Sequence, residues 1–148
     1  MPEKEVLERA REDARQGKSP STQAGEFVHE EIEHVKRGKH GARSAKQAIA
    51  IGLSKARRAG VKLPPPKGGT VSEKTRAQAT RDVAKGKQGT RKPSQKRSRA
   101  VTKSQKREGH QAPSHAALSR QAKSSAQSRG SASRKAAARK AARTRTGR

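Results

Sequence analysis

Apolar residues in this chain fall into one well-formed helical stripe, two weaker ones and then almost none. Ala24, Phe27, Val28, Ile32 and Val35 follow at steps of 3, 1, 4 and 3 residues, a spacing that keeps side chains on one face of a helix. Ser19, Ser21 or Thr22 is placed to cap its start. Gly38 ends it just after Lys36 and Arg37, cations that suit the negative end of a helix dipole. A second stripe runs through Ala48, Ile49, Gly52, Leu53 and Ala56, with Ile51 to one side. Ser44 and Gln47 ahead of it have capping-box spacing, and Gly60 stands where a left-handed residue closes a helix. Joined across the basic turn Gly38-Lys39-His40-Gly41-Ala42-Arg43, the two stripes predict an αα-hairpin cored by Phe27, Val28, Ile32, Val35, Ile49 and Leu53.

Ahead of the hairpin, residues 2–16 open with Pro2, carry Glu3 and Glu5 in the first turn and stop at Gly17, which predicts a further helix with the thin stripe Val6, Leu7, Ala10 and Ala14. Pro64-Pro65-Pro66 forbids continuation of the hairpin and sets a stiff spacer before Lys67-Gly68-Gly69. Beyond it the pattern dissolves into Lys, Arg, Ala, Ser and Gln, punctuated by Gly89, Gly109, Gly130 and Gly147. Residues 72–85, 94–107, 114–128 and 133–143 each open with a potential serine cap but have no apolar face, and short helices with like charges three or four apart are marginal in water. The expected organisation is all-α: an N-terminal amphipathic helix over 1–18, the hairpin over 19–63, a Pro/Gly linker over 64–70, and over 71–148 a largely disordered, basic tail with marginal helices.

Composition sharpens this division. Leu, Ile, Val and Phe together number 15 of 148 residues, and 11 of those precede Pro64, so any core is N-terminal. The charge of +26 divides unevenly, with 14 basic and 9 acidic residues over 1–66 against 24 and 3 over 67–148. Absence of Cys removes disulfides, thiolate metal sites and cysteine nucleophiles. No stretch approaches the apolar length of a membrane span and the N-terminus lacks the apolar run of a secretory signal, which reads as a cytoplasmic protein.

Catalytic constellations are scarce. There is no phosphate loop, nucleophile elbow or dinucleotide fingerprint, and too little core to wall a pocket, so no enzyme and no cofactor is expected. His29 and His34 flank Glu30-Glu31-Ile32-Glu33, but they stand five apart and diverge by about 140° around a helix, unlike the i, i+4 pair of a zinc helix. No metal is expected there.

What remains is positive charge. Lys39, Arg43, Lys46, Lys55, Arg57 and Arg58 on the hairpin, with Lys96, Arg97, Arg99, Lys103, Lys106, Arg107, Arg134, Lys135, Arg139, Lys140, Arg143 and Arg145 in the tail, are the candidate phosphate contacts. Cations that meet phosphates release condensed counterions, an entropic gain independent of base sequence. Phe27 is the one aromatic, too few for stacking on single strands, so duplex DNA is favoured over RNA as the partner. A helix-turn-helix with Lys46 and Gln47 leading a recognition helix is the weaker reading, because Ala48 to Leu53 offers few polar side chains to read bases.

The segment Lys46-Gln47-Ala48-Ile49-Ala50-Ile51-Gly52-Leu53-Ser54-Lys55-Ala56 resembles the hallmark of an uncharacterised family of small basic bacterial proteins, some of them labelled DNA-binding or plasmid stabilisation. The resemblance covers residues 27–62, implies a bacterial origin and carries no catalytic residues with it. The stretch Ser133-Arg134-Lys135-Ala136-Ala137-Ala138-Arg139-Lys140-Ala141-Ala142-Arg143 is similar to the Ala/Lys-rich tails of linker histones and bacterial histone-like proteins, though richer in Arg and Ser. The expected function is therefore duplex DNA binding without sequence preference, as a histone-like protein of the nucleoid. The alternatives are a protein-interaction adaptor acting through the hairpin, by self-association or with another protein, and binding of structured RNA.

Overall fold

In the computed structural model, which describes residues 2–89, 92 and 94–146, seven α-helices form and no strand is present among the described residues. They are α1 (Lys4–Arg15), α2 (Pro20–Lys36), α3 (Ala45–Arg58), α4 (Glu73–Lys87), α5 (Gln95–Lys106), α6 (His115–Ser128) and α7 (Gly130–Arg145). Gly147, the last of the punctuating glycines, lies outside the described residues. The chain divides into two units, Met1–Pro113 and Ser114–Arg148. No described helix is long and apolar enough to cross a membrane.

Serine caps set the helix starts. Ser19 Oγ accepts from the Thr22 amide, Ser44 from Gln47, Ser72 from Thr75 and Ser114 from Ala117, each satisfying a backbone donor that the first turn leaves open. Gln47 Oε1 reaches back to the Arg43 amide at 2.6 Å, one residue before the expected position of a capping box. Gly17, Gly38 and Gly60 follow α1, α2 and α3 with φ of 70°, 72° and 95°, the left-handed residues that release the chain from a helix.

In the first unit α1 packs on α2, α2 on α3 and α3 on α4. Two small cores result. Val6, Ala10, Ala24, Phe27 and Ala56 form one, edged by Leu7, Leu53, Ala59, Val61 and Leu63; Val35, Ala42 and Ala48 form the other, edged by Ala112. The expected hairpin core is corrected in part: Phe27 and Val35 are buried, but Val28, Ile32, Ile49 and Leu53 are only partly so. The reason is the crossing of α2 and α3, where backbone meets backbone. A Cβ on Gly52 would stand 2.6 Å from Val28 Cα and 2.9 Å from its nitrogen, so the helices meet at this glycine and the branched side chains are left at the margins. The buried line on α2 is Ala24, Phe27, Glu31 and Val35, with a carboxylate in the apolar register.

The expectation of a largely disordered tail is overturned, because α4 to α7 cover most of residues 71–148. Three things supply the order that the apolar pattern does not. Alanine favours helix without needing burial. In α4, Ala79 and Asp82 are buried, and Gly86 comes so close to the Arg57 carbonyl that a Cβ would overlap it. After α5 the chain returns to the hairpin turn, where the Gly41 amide donates to Gln105 O at 2.9 Å and the Ala42 amide to Gly109 O at 3.0 Å. In the second unit α6 and α7 meet at Gly130, whose φ of 73° breaks the helical path, and neither helix has a buried residue.

The two glycines of this hairpin provide opposite tests. Gly52→Ala is expected to destabilise by about 1–3 kcal/mol through overpacking, despite the better helix propensity of alanine. Gly25, inside α2, has open space where a Cβ would stand, with nothing within 4 Å, and its replacement by Ala is expected to gain about 0.5–1 kcal/mol. Urea unfolding of the two variants against the wild type measures both.

Candidate functional site

The cations expected on the hairpin are mostly engaged within the fold. Lys39 Nζ lies 2.7 Å from Glu3 Oε1, Arg43 Nη2 3.1 Å from Glu108 Oε1, Lys55 Nζ 2.5 Å from Glu31 Oε2, and Arg58 Nε 2.7 Å from Asp82 Oδ1. Arg57 is buried, donates to the Pro64 carbonyl at 3.4 Å and has no partner for Nε. Burial depresses its pKa, yet a guanidinium stays charged at any physiological pH, so Arg57 supports the α3 to linker turn rather than meeting phosphate. Lys46 is exposed, and no acid pairs with it among the described residues.

The pairing has a simple origin. Nine of the twelve acids precede Pro64, and ion pairs tie most of them to cations of the first three helices and the turns that join them. Downstream of α4, Glu108 is the one acid of the chain, and it is taken by Arg43.

That leaves α5. At 100° per residue, Lys96, Arg99, Lys103, Lys106 and Arg107 fall within an arc of about 100°, while Arg97 and the exposed Val101 project from the other side. The helix has no buried residue, and Ser98, Arg99, Thr102, Lys103, Lys106 and Arg107 frame an open groove of about 460 Å³. The cations of α7 are arranged differently. Arg134, Lys135, Arg139, Lys140, Arg143 and Arg145 are all exposed but spread over an arc of about 240°, so α7 has charge without a narrow preferred face. One-sided charge on α5 was readable from the spacing of its cations; the diversion of the hairpin cations into ion pairs was not, because their partners lie 24 to 65 residues away.

A second cluster takes in Glu30, Glu31 and His34 from the stretch set aside above because His29 and His34 diverge, and joins them to Glu3, His40 and Lys55 from elsewhere in the chain. Glu31 is fully buried, and neither of its oxygens accepts a hydrogen bond; Lys55 Nζ sits beside Oε2 and His40 Nε2 lies 3.0 Å from Oε1. Glu30, also buried, accepts the Glu3 amide at 2.6 Å and lies 3.8 Å from the same lysine. One donor atom each from Glu31, His34 and His40 lie within 4.8 Å of one another, and so do those of Glu3, Glu30 and His34. The available signal was Glu31 itself, placed four residues after Phe27 and four before Val35 on the buried line.

The protein is thus an all-helical chain with a packed N-terminal bundle and cation-rich helices after it. Residues 15–67, spanning α2 and α3, match a family of unknown function (DUF6496), which agrees with the expectation of an uncharacterised family over the hairpin. No curated protein and no solved structure matches the chain.

Two outcomes follow from these ion pairs. Asp82 accepts from Ser54 Oγ at 2.7 Å, Arg58 Nε at 2.7 Å and Gln78 Nε2 at 3.1 Å, and it is the polar clasp between α3 and α4. Asp82→Ala strands these donors and is expected to cost about 2–3 kcal/mol, read as a lower urea midpoint. Glu3 is held by hydrogen bonds from Lys39 first and His34 second, which lower its pKa from 4.5 to about 2. A depressed carboxylate stabilises the fold fully above pH 4.5, and that stabilisation is lost as pH falls toward 2. Glu3→Gln is expected to flatten the pH dependence of unfolding across that window, measured by denaturation at each pH.

Proposed function

We propose that this protein binds duplex DNA without sequence preference, as a histone-like, nucleoid-associated protein, with the cationic face of α5 as its main ordered contact. The observation that carries this reading is the set Lys96, Arg99, Lys103, Lys106 and Arg107, five cations on one face of a helix with no buried side. Residues 96 to 107 span about 16 Å at 1.5 Å per residue, a length along which a DNA duplex offers on the order of nine phosphates. Side chains of this kind contact phosphates through charge and make no use of base identity. The exposed cations of α7, spread over most of that helix's circumference, supply longer-range attraction and add to the association rate.

Duplex DNA is preferred to structured RNA because the chain has a single aromatic side chain, Phe27, and it is buried in the hairpin core, leaving no platform on which unpaired bases would stack. Lys46, exposed at the start of α3, is an additional phosphate contact where helix amides favour anions.

The test is a salt series on the full chain with random-sequence duplex DNA and with structured RNA. Replacing Lys96, Arg99, Lys103, Lys106 and Arg107 together by Gln is expected to make the slope of log affinity against log salt shallower by up to about 4.5, since each phosphate neutralised accounts for about 0.9 of it. An unchanged slope, or binding confined to one base sequence, overturns the assignment; a preference for RNA at matched salt overturns the choice of duplex DNA.

A further inference from the structure

The buried acids of α2 are not accounted for by phosphate binding. Glu30 and Glu31 are 5% and 0% exposed, and the one ammonium set between them is Lys55, 3.8 Å and 2.5 Å away. Two buried carboxylates against one partly exposed cation leave a negative charge that the interior has to balance.

The histidines face this excess. His34 near the end of α2 and His40 in the turn after it approach edge to face, with ring centroids 6.0 Å apart and planes at 84°. Each leaves 12% of its side chain exposed. His40 Nδ1 lies 3.2 Å from the Gly41 carbonyl, and a carbonyl only accepts, so the hydrogen of a neutral His40 is on Nδ1. Its bare Nε2 then stands 3.0 Å from Glu31 Oε1, out of line for a hydrogen bond. Two unprotonated acceptors that close repel unless they share a cation. Donor atoms bound tetrahedrally to one ion at about 2.0–2.1 Å are about 3.3–3.4 Å from one another, so a shift of a few tenths of an ångström brings this pair to ligand spacing.

We propose that Glu31, His34 and His40 form a binding site for a divalent first-row transition metal. Two imidazole nitrogens and one carboxylate favour zinc and its neighbours over magnesium or calcium, which take all-oxygen shells. The contact from His40 Nδ1 to a backbone carbonyl is the outer-shell bond that fixes the tautomer of a ligating histidine. Lys55 neutralises Oε2 of Glu31 and leaves Oε1 to the ion. Three protein ligands leave a coordination position for water or a fourth group. The site joins the end of α2 to the turn before α3, so metal binding holds the hairpin closed.

The test uses the full chain without a histidine tag, stripped with chelator and titrated with Zn²⁺ by calorimetry and with Co²⁺ by visible absorption. About one equivalent per chain is expected, with a rise in melting temperature on zinc addition. His40→Gln and Glu31→Gln are each expected to weaken zinc binding about tenfold or more, whereas His115→Gln leaves it unchanged. Because a variant at Glu31 can fail to fold, ring resonances of the wild-type histidines provide a measurement that needs no substitution: zinc is expected to shift those of His34 and His40. Failure to take up zinc, or shifts confined to His29, His110 or His115, overturns the proposal. The first outcome would mean that a proton on His40 Nε2 balances Glu31 instead.

Discussion

Everything in the N-terminal unit depends on how closely α2 and α3 approach at Gly52. With 15 large aliphatic and phenylalanine residues in 148, the chain lacks the side-chain volume to fill a space between helices held at ordinary distance. Letting backbone touch backbone at Gly52 and Val28 removes that space, and Ala24 and Ala56 become large enough to complete a core around Phe27, as Ala48 does beside Val35. The same solution recurs where Gly86 of α4 meets Arg57 and where Gly41 meets Glu108. Alanine and glycine, which dilute an ordinary core, are here the means of building one.

Polar groups complete what the small side chains leave open. Asp82 joins α3 to α4 through Ser54 and Arg58, and Glu30 and Glu31 join α2 to α3 through Lys55. Such contacts contribute little net stability compared with apolar burial, but they are demanding in geometry and fix which helix lies against which. They also sort the charge of the molecule. Acids occupy many of the cations of the bundle, whereas the 13 cations of α5, α6 and α7 face no acid on those helices.

The sequence revealed the helices far better than their partners. Serine caps and glycine stops marked α2 and α3, and even in the basic half Ser72, Ser94 and Ser114 stand immediately before α4, α5 and α6. What misled was the inference from a missing apolar face to missing order. Asp82 and Gly86 dock α4 by a carboxylate and an absent side chain, neither of which registers in a hydrophobic pattern. In the same way Val28 and Ile32 stood out on α2, although the buried line runs through Glu31, whose charge hid its place in the period. The α5 face depends on local spacing alone and goes undrawn only where the segment is read as disordered, whereas Lys39, Arg43, Lys55 and Arg58 could be assigned only once their distant acids were located.

The return of the chain after α5 to the hairpin turn gives the linear order of the protein a different meaning. Hydrogen bonds from Gly41 to Gln105 and from Ala42 to Gly109 close a loop of more than sixty residues that contains α3, the proline spacer, α4 and α5. Closing so long a loop costs little more entropy than closing one half its length, so a pair of backbone bonds and a few side-chain contacts suffice to hold it. Proline-rich residues 64–66 are then not a tether between a folded head and a trailing tail but one edge of a ring. A chain severed there would still be held together by α4 against α3 and by the 105–112 segment against the turn, as two pieces of one fold.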